Sequence, residues 1–374
     1  MRHCLVFLAA CLLWAAPQPR QRGSAGSWRL QYFYDRDGSS LEILDLKFPS
    51  RLHGAALGTI HRGQKPKPVA LLTSDGGKTW NVINIGPQGY SLFFLNDSTG
   101  WMVAKDGLWK TENFCQTWRR LVKLPGLEDV YFSDEKHGWI AGAKKSVLET
   151  QDGGSHWRVV PAASQPMSNP LATTYGWIRF RTPNEGMIGG WTSSERERRE
   201  LPAWMEPEKS AREREETFLR LQTEDGGRNW TPATVSMLGF IAQASLSPDG
   251  RGLGVVEFRH ASEYPSEVLK LGFGDAKDSR AFRAKDRLIT STAIVPHGRA
   301  YLAGIEPVGN LGLQSPVPGK VKILQSANLE EWNEMDVDYR AVARRVTLAI
   351  AGEDVWAATD TGMILRLARD AAGK

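Results

Sequence analysis

Apolar positions along the chain fall in short runs broken by polar turns, as in Ser91-Leu92-Phe93-Phe94-Leu95 and then Gly100-Trp101-Met102-Val103-Ala104. Runs this short, bounded by Gly, Asp and Asn, predict β-strands joined by tight connections. One connection recurs as an octapeptide. It reads Thr73-Ser74-Asp75-Gly76-Gly77-Lys78-Thr79-Trp80, returns as Thr150-Gln151-Asp152-Gly153-Gly154-Ser155-His156-Trp157, and again as Thr223-Glu224-Asp225-Gly226-Gly227-Arg228-Asn229-Trp230. Strand-like segments flank the copies, so the octapeptide is expected to close a hairpin. Its glycines supply positive φ, its Asp accepts backbone N–H groups in the turn, and its Trp buries a ring between sheets. Thr73, Asp75, Gly77, Trp80, Thr150, Asp152, Gly154, Trp157, Thr223, Asp225, Gly227 and Trp230 are therefore read as structural. Worn copies lie at Thr111–Trp118 and Gln325–Trp332, and Trp80, Trp118 and Trp157 follow one another at intervals of about 38 residues, the size of a four-stranded propeller blade.

A second motif, a polar turn followed by a small-residue-rich strand, occurs seven times. The clearest copies are Thr99-Gly100-Trp101-Met102-Val103-Ala104 and His137-Gly138-Trp139-Ile140-Ala141-Gly142. Gly and Ala suit strands that crowd near the axis of a ring. The predicted fold is all-β: a seven-bladed β-propeller of four-stranded antiparallel blades spanning 26–374. The last unit lacks a fourth strand, and Trp28-Arg29-Leu30-Gln31-Tyr32-Phe33-Tyr34 has no hairpin partner nearby. The N-terminal strand is thus expected to complete the last blade from outside, removing an open ring edge. A charged insertion at 193–216 breaks the rhythm between the second and third strands of the fourth unit. Strand order places it on the face opposite the octapeptide turns, together with the long connection 161–175.

Composition changes this picture little. An apolar run from Cys4 to Ala16, preceded by Arg2, suits a signal peptide over 1–25 and an exported, periplasmic or secreted protein. Removing that leader takes away Arg2, Arg20 and Arg22, so the excess of 47 Lys and Arg over 42 Asp and Glu nearly vanishes. A near-neutral body offers no electrostatic case for nucleic acid. Cys4 and Cys11 lie in the leader; Cys115 is alone and is read as a small buried apolar residue. The seven His are scattered, with no zinc-type spacing, and no nucleophile elbow or phosphate loop occurs. Neither metal nor cofactor is expected.

The octapeptides resemble Asp-box, or BNR, repeats. Paired with Gly100-Trp101-Met102-Val103 and Gly138-Trp139-Ile140-Ala141-Gly142, they are most similar to the photosystem II stability/assembly-factor-like propellers, over residues 68–157 above all. The resemblance implies a seven-bladed lumenal or periplasmic protein that binds an assembling membrane complex. A sialidase of the same class carries a Phe/Tyr-Arg-aliphatic-Pro motif ahead of the first box. Here Phe180-Arg181-Thr182-Pro183 follows two boxes and lacks the aliphatic residue. No catalytic residues are therefore assigned. The reading is a monomeric, non-enzymatic scaffold for a protein partner, an envelope or membrane complex included. The alternative is a glycan-binding protein or sialidase-like glycoside hydrolase. The candidate partner surface is Trp177, Arg179, Arg196, Arg198, Arg199 and Trp204, a set rich in the Trp and Arg favoured at interface hot spots.

Overall fold

The computed structural model describes residues 26–63, 65–192, 215–258, 266–306 and 317–368. They form seven antiparallel sheets, each with its strands in sequence order from the axis outward, apart from the closing blade. The innermost strands are Ser40–Lys47, Gly89–Phe94, Leu127–Phe132, Thr173–Phe180, Phe240–Leu246, Leu288–Ile294 and Val346–Ala351, in blades 1 to 7. Ser27–Phe33 is the outermost strand of blade 7, with Trp28 opposite Leu367 and Phe33 opposite Met363. The predicted closure is therefore present. It is reinforced from blade 6: the Trp28 amide donates to the Asp336 carbonyl at 2.8 Å, and the Asp338 amide donates to the Trp28 carbonyl at 3.0 Å. Trp28 itself is 1% exposed, edge-on to Tyr301. Blade 6 carries one element beyond the expected four, Val342–Ala343, which pairs with Gly319 and Lys320.

The two sequence motifs share one packing purpose. All seven small-residue segments are the second strands of their blades. Their leading glycines leave room for a Phe at the end of the blade's own innermost strand: a Cβ on Gly54, Gly138 or Gly186 would lie 2.4 to 2.6 Å from Phe48, Phe132 or Phe180. That Phe in turn stacks on the Trp of the preceding blade. Phe48 lies 3.7 Å from Trp356 between ring centroids, and Phe132 lies 3.9 Å from Trp101. The octapeptide turn then covers the same indole, since the Trp356 Nε1–H donates to the Gly76 carbonyl at 3.2 Å.

Within the octapeptides the bonds are those the residue types require. The Thr73, Thr150 and Thr223 hydroxyls donate to Asp75, Asp152 and Asp225 at 2.8 to 2.9 Å. The same hydroxyls accept from the Gly77, Gly154 and Gly227 amides at 2.8 to 2.9 Å. Each Asp accepts the amide four residues on, at 2.9 to 3.0 Å. Trp80 and Trp157 donate to the Gly77 and Gly154 carbonyls, both at 3.1 Å, and Trp230 packs against Trp139. In the worn copy the scaffold persists with Asn113 replacing Asp, and Phe114 and Cys115 take the positive φ values of 51° and 66° that glycine would hold.

The insertion is shorter at its end than the sequence suggests. Glu215 and Glu216 belong to the strand Glu215–Thr223, because they pair with Leu238 and Met237 of the next strand and so extend the ladder. Residues 193–214 lie outside the described residues, as do 1–25 and 369–374.

Candidate functional site

Seven innermost strands surround an axial channel. A cavity of about 240 Å³ occupies the end where these strands begin, lined by residues from every blade; a second, of about 340 Å³, occupies the end where they finish. The octapeptide turns bond to the turns at that second end, Gly76 to Leu52, Gly153 to Lys136 and Gly226 to Asn184, each N–H to carbonyl at 2.8 Å. The first end therefore faces away from them, as strand order predicts.

The chemistry of the channel wall comes from a repeated irregularity. Six innermost strands carry a bulge, between Ile43 and Asp45, Gly89 and Ser91, Leu127 and Asp129, Tyr175 and Trp177, Ile241 and Gln243, and Ile289 and Ser291. A bulge raises the local twist and re-aims the residue beside it. Here it turns a polar side chain onto the next blade. Asp45 accepts the Leu92 amide at 2.8 Å, Asp129 the Ile178 amide at 2.9 Å, Gln243 the Thr292 amide at 3.1 Å and Ser291 the Leu348 amide at 3.1 Å. These are inter-blade clips. They satisfy buried N–H groups that adjacent sheets would otherwise strand between them. Sequence reasoning passed over Asp45 and Asp129; the available signal was an Asp, a poor strand former, inside an apolar run.

Asp129 does most. It also accepts the Val130 amide at 3.0 Å and the Ser91 hydroxyl at 3.2 Å, and it pairs with the Arg179 guanidinium. Arg179 donates further to the Ala244 carbonyl at 3.0 Å. Thus Arg179, a candidate partner residue, lines the channel but is committed to its wall. Trp177, its companion, is 1% exposed: its Nε1–H donates to the Ile241 carbonyl at 2.8 Å and its ring fills the space above Gly189. The expected surface role for Trp177 is corrected to a seam between blades 4 and 5, because its side of the sheet packs on blade 5 and buries the ring there. Arg196, Arg198, Arg199 and Trp204 lie outside the described residues.

At the mouth most charges are paired. Lys47 lies 2.6 Å from Asp45, and Arg345 lies 4.0 Å from Glu257. Glu128 differs. Among the described residues no cation pairs with it; it is exposed at the mouth, and its carboxyl is raised above the usual range by partial desolvation there and by neighbouring Asp129. Tyr90, beside it, is pushed up to about 12, first by burial, and its hydroxyl donates to the Leu127 carbonyl. Arg181, the one arginine of the Phe180–Pro183 segment, is held bidentate by Glu185 at 2.8 and 3.0 Å and sits 4.1 Å from the Phe273 ring centroid. So engaged, its guanidinium is already spent on Glu185. Cys115 is buried, and burial pushes its thiol up to about 12, which leaves it unreactive. No group of three or more His, Cys, Asp or Glu suited to a metal ion occurs among the described residues.

Comparison with known proteins adds the kinship. A family model described as photosynthesis system II assembly factor YCF48 matches residues 123–191, the third blade and the first half of the fourth. The curated photosystem II assembly protein Ycf48 of Synechococcus sp. (strain JA-2-3B'a(2-13)) is 29% identical over 171 residues, which is 37% of this chain and 50% of that protein. The chain thus spans about half the length of the curated relative it matches. Among solved structures, YCF48 bound to D1 peptide superposes with a TM-score of 0.56 at 17% identity, covering 90% of this chain and 99% of that one. YCF48 from Cyanidioschyzon merolae superposes with a TM-score of 0.59 at 13% identity, covering 91% and 98%. At such identities the superpositions speak for the fold alone, and the sequence matches carry the relationship. Repeats and ring closure make the chain a β-propeller with BNR-type repeats, and the sequence matches make it similar, over part of its length, to the photosystem II assembly factor YCF48.

Proposed function

We propose that this chain is an exported, non-enzymatic propeller scaffold that binds a segment of a protein partner, a component of a membrane or envelope complex, at the channel mouth facing away from the octapeptide turns. The observation that carries the reading is Glu128, a carboxylate left without a cation in a mouth whose other charges are paired. Glu128 is exposed at the mouth, so its carboxylate is open to a charge-assisted hydrogen bond from a cation on a ligand. A basic side chain or an amino group on the bound segment would supply it. The engagement of Arg181 by Glu185 favours this over the sialidase-like alternative, and the peptide-bound YCF48 structure, alike in fold, is compatible with it. Export rests on the apolar leader.

The test is affinity capture from solubilised membranes of the host, using the wild-type chain and Glu128→Lys. A partner retained by the wild type and lost from the variant supports the proposal. Equal capture by both, or binding to glycans on an array with no protein captured, overturns it. Fractionation of the host that finds the chain in the cytosol with its leader intact would remove the export half alone.

A further inference from the structure

The turns on the face of the channel mouth do not share their charges evenly. On the connections leading into blades 6 and 7 the arginines are already spent. Arg287 pairs with Asp286 and Glu334, Arg340 with Asp338, and Arg344 with Asp360, at 2.6 to 3.1 Å. Blades 1 to 3 differ. The hairpin tip between the second and third strands of blade 1 carries Arg62, Lys65 and Lys67; the same turn carries Lys105 in blade 2 and Lys144 in blade 3, and the connection between those blades carries Lys123. All six are exposed, and among the described residues none pairs with an acid. The acids nearby offset little of this charge. Asp106 is held by the Trp109 Nε1–H and by Arg120, both at 2.9 Å, Glu42 lies 3.2 Å from the His61 ring, and Asp35 and Asp37 flank Arg36. Glu128 alone stands free on the inner side.

An apolar loop stands beside this patch. No charged residue occurs between Arg158 and Arg179, and within that run Met167 is 99% and Leu171 79% exposed. The loop is pinned. The Tyr175 hydroxyl donates to the Ala163 carbonyl at 3.0 Å, Asn169 accepts the Leu171 amide at 2.9 Å, and the Thr173 hydroxyl donates to the Asn169 carbonyl at 2.7 Å. The Lys145 ammonium donates to the Ser164 carbonyl at 3.2 Å and to the Pro166 carbonyl. A backbone fixed at these points holds both side chains out in water, where apolar surface is unfavourable. Lys145 also joins loop to patch, since Lys144 is its neighbour in the same turn. The Ala143 amide donates to the Gly126 carbonyl at 2.7 Å, which ties that turn to the connection carrying Lys123, and Lys123 and Lys105 line one groove. Cations and apolar tips are therefore continuous on one face.

We infer that this face docks on a membrane bearing anionic lipid, with Met167 and Leu171 entering the boundary between headgroups and acyl chains and the six cations facing the lipid phosphates. Charge complementarity selects an anionic partner. The apolar tips then select among anionic partners: a polyanion dissolved in water offers Met167 and Leu171 nowhere to be buried, whereas an anionic bilayer supplies charge and apolar depth at one boundary. Clusters of about four to eight basic residues are the size at which such surfaces are recognised. The six here sit on turns of a single face, so one flat surface can meet them together. The inference goes beyond partner binding at the channel mouth and does not rest on it, because Glu128 takes no part and lipid alone is the probe.

Vesicle co-sedimentation tests it, using the chain from Gly26 onward, which keeps every described strand and omits the apolar run at 4–16, so that run cannot itself carry the binding. One set of vesicles is phosphatidylcholine alone; the other adds about 30% phosphatidylglycerol to supply negative charge. The expected result is binding to the anionic set at about 0.1 M salt, weakened at about 1 M, with little binding to the neutral set. Lys105→Gln, Lys123→Gln and Lys144→Gln combined should weaken binding about a hundredfold, at about fivefold per cation. Met167→Ser with Leu171→Ser should weaken it by about tenfold or more. Both variants change exposed residues only, so circular dichroism and melting temperature should match the wild type. Equal binding to both vesicle sets overturns the inference, as does anionic binding that survives both variants. No binding to either set overturns it in favour of an acidic protein as the occupant. Dependence on the lysines without dependence on Met167 and Leu171 overturns it too, since a soluble polyanion would then serve as well.

Discussion

Removal of the Asp129 carboxylate is the sharpest probe of how the ring is held. In Asp129→Ala the Ile178 and Val130 amides lose acceptors at 2.9 and 3.0 Å, and the Arg179 guanidinium loses its ion pair. A buried donor left unsatisfied costs about 1 to 3 kcal/mol, and breaking a buried pair on one side costs about 3 to 5 kcal/mol. The Arg179 side chain is 32% exposed, so water recovers part of its loss. The two amides alone put the expected loss at about 2 to 6 kcal/mol, a large share of a typical domain's stability of about 5 to 15 kcal/mol. Urea denaturation followed by tryptophan fluorescence reads the change as a lowered midpoint at constant slope. Asp129→Asn, which keeps one acceptor, should cost less. So should Asp45→Ala, because Lys47 on Asp45 turns to water more easily. A double-mutant cycle with Arg179→Met should show coupling of at least about 1 kcal/mol, as expected for residues in direct contact. A loss below about 0.5 kcal/mol for Asp129→Ala, the range of ordinary surface substitutions, would refute the clip argument, as would strict additivity in the cycle.

Two further outcomes follow from the octapeptides. Gly227 has φ +83°, and a Cβ there would lie 2.2 Å from the buried Trp139 ring, whereas a Cβ on Gly77, at φ +90°, would meet Trp356 only at 3.1 Å. Gly227→Ala should therefore destabilise by about 2 to 5 kcal/mol, left-handed strain plus overpacking, and Gly77→Ala by about 1 to 2 kcal/mol, strain alone; equal losses in chemical denaturation would contradict this. Second, hydrogen bonds from the Thr79 side chain and amide hold Asp75 down to about 2 from 3.8, and the His156 amide and ring hold Asp152 down to about 2. A depressed carboxyl contributes stability above its unfolded pKa and loses it as pH falls through the folded one. Melting temperature should accordingly decline between pH 4 and pH 2, and Asp75→Asn should flatten that limb; a parallel decline in the variant would assign the acid sensitivity to other groups.

Much of the architecture was legible in the residues because it is local. A Thr-x-Asp-Gly-Gly-x-x-Trp segment satisfies its own turn with its own side chains, so the hairpin can be read wherever the segment stands. Seven small-residue strands gave the blade count. The unpaired Trp28–Tyr34 run and the missing last strand gave the closure, since each solves the other's edge. Alternation rightly set Trp177 and Arg179 on one side of the sheet, since both bond to blade 5; what it could not say is that this side is a seam that buries the Trp177 ring. The roles of Asp45 and Asp129 were likewise out of reach, because their acceptors serve amides 47 and 49 residues away in the next blade.

By itself, then, the sequence determined the repeat unit, the number of units and the manner of closing the ring, all of which follow from short-range turn chemistry and strand patterning. Only the tertiary structure decided which polar groups face the channel and which of them are already spent on holding blades together. Those depend on how neighbouring sheets meet, and contacts between sheets leave no periodic mark along the chain.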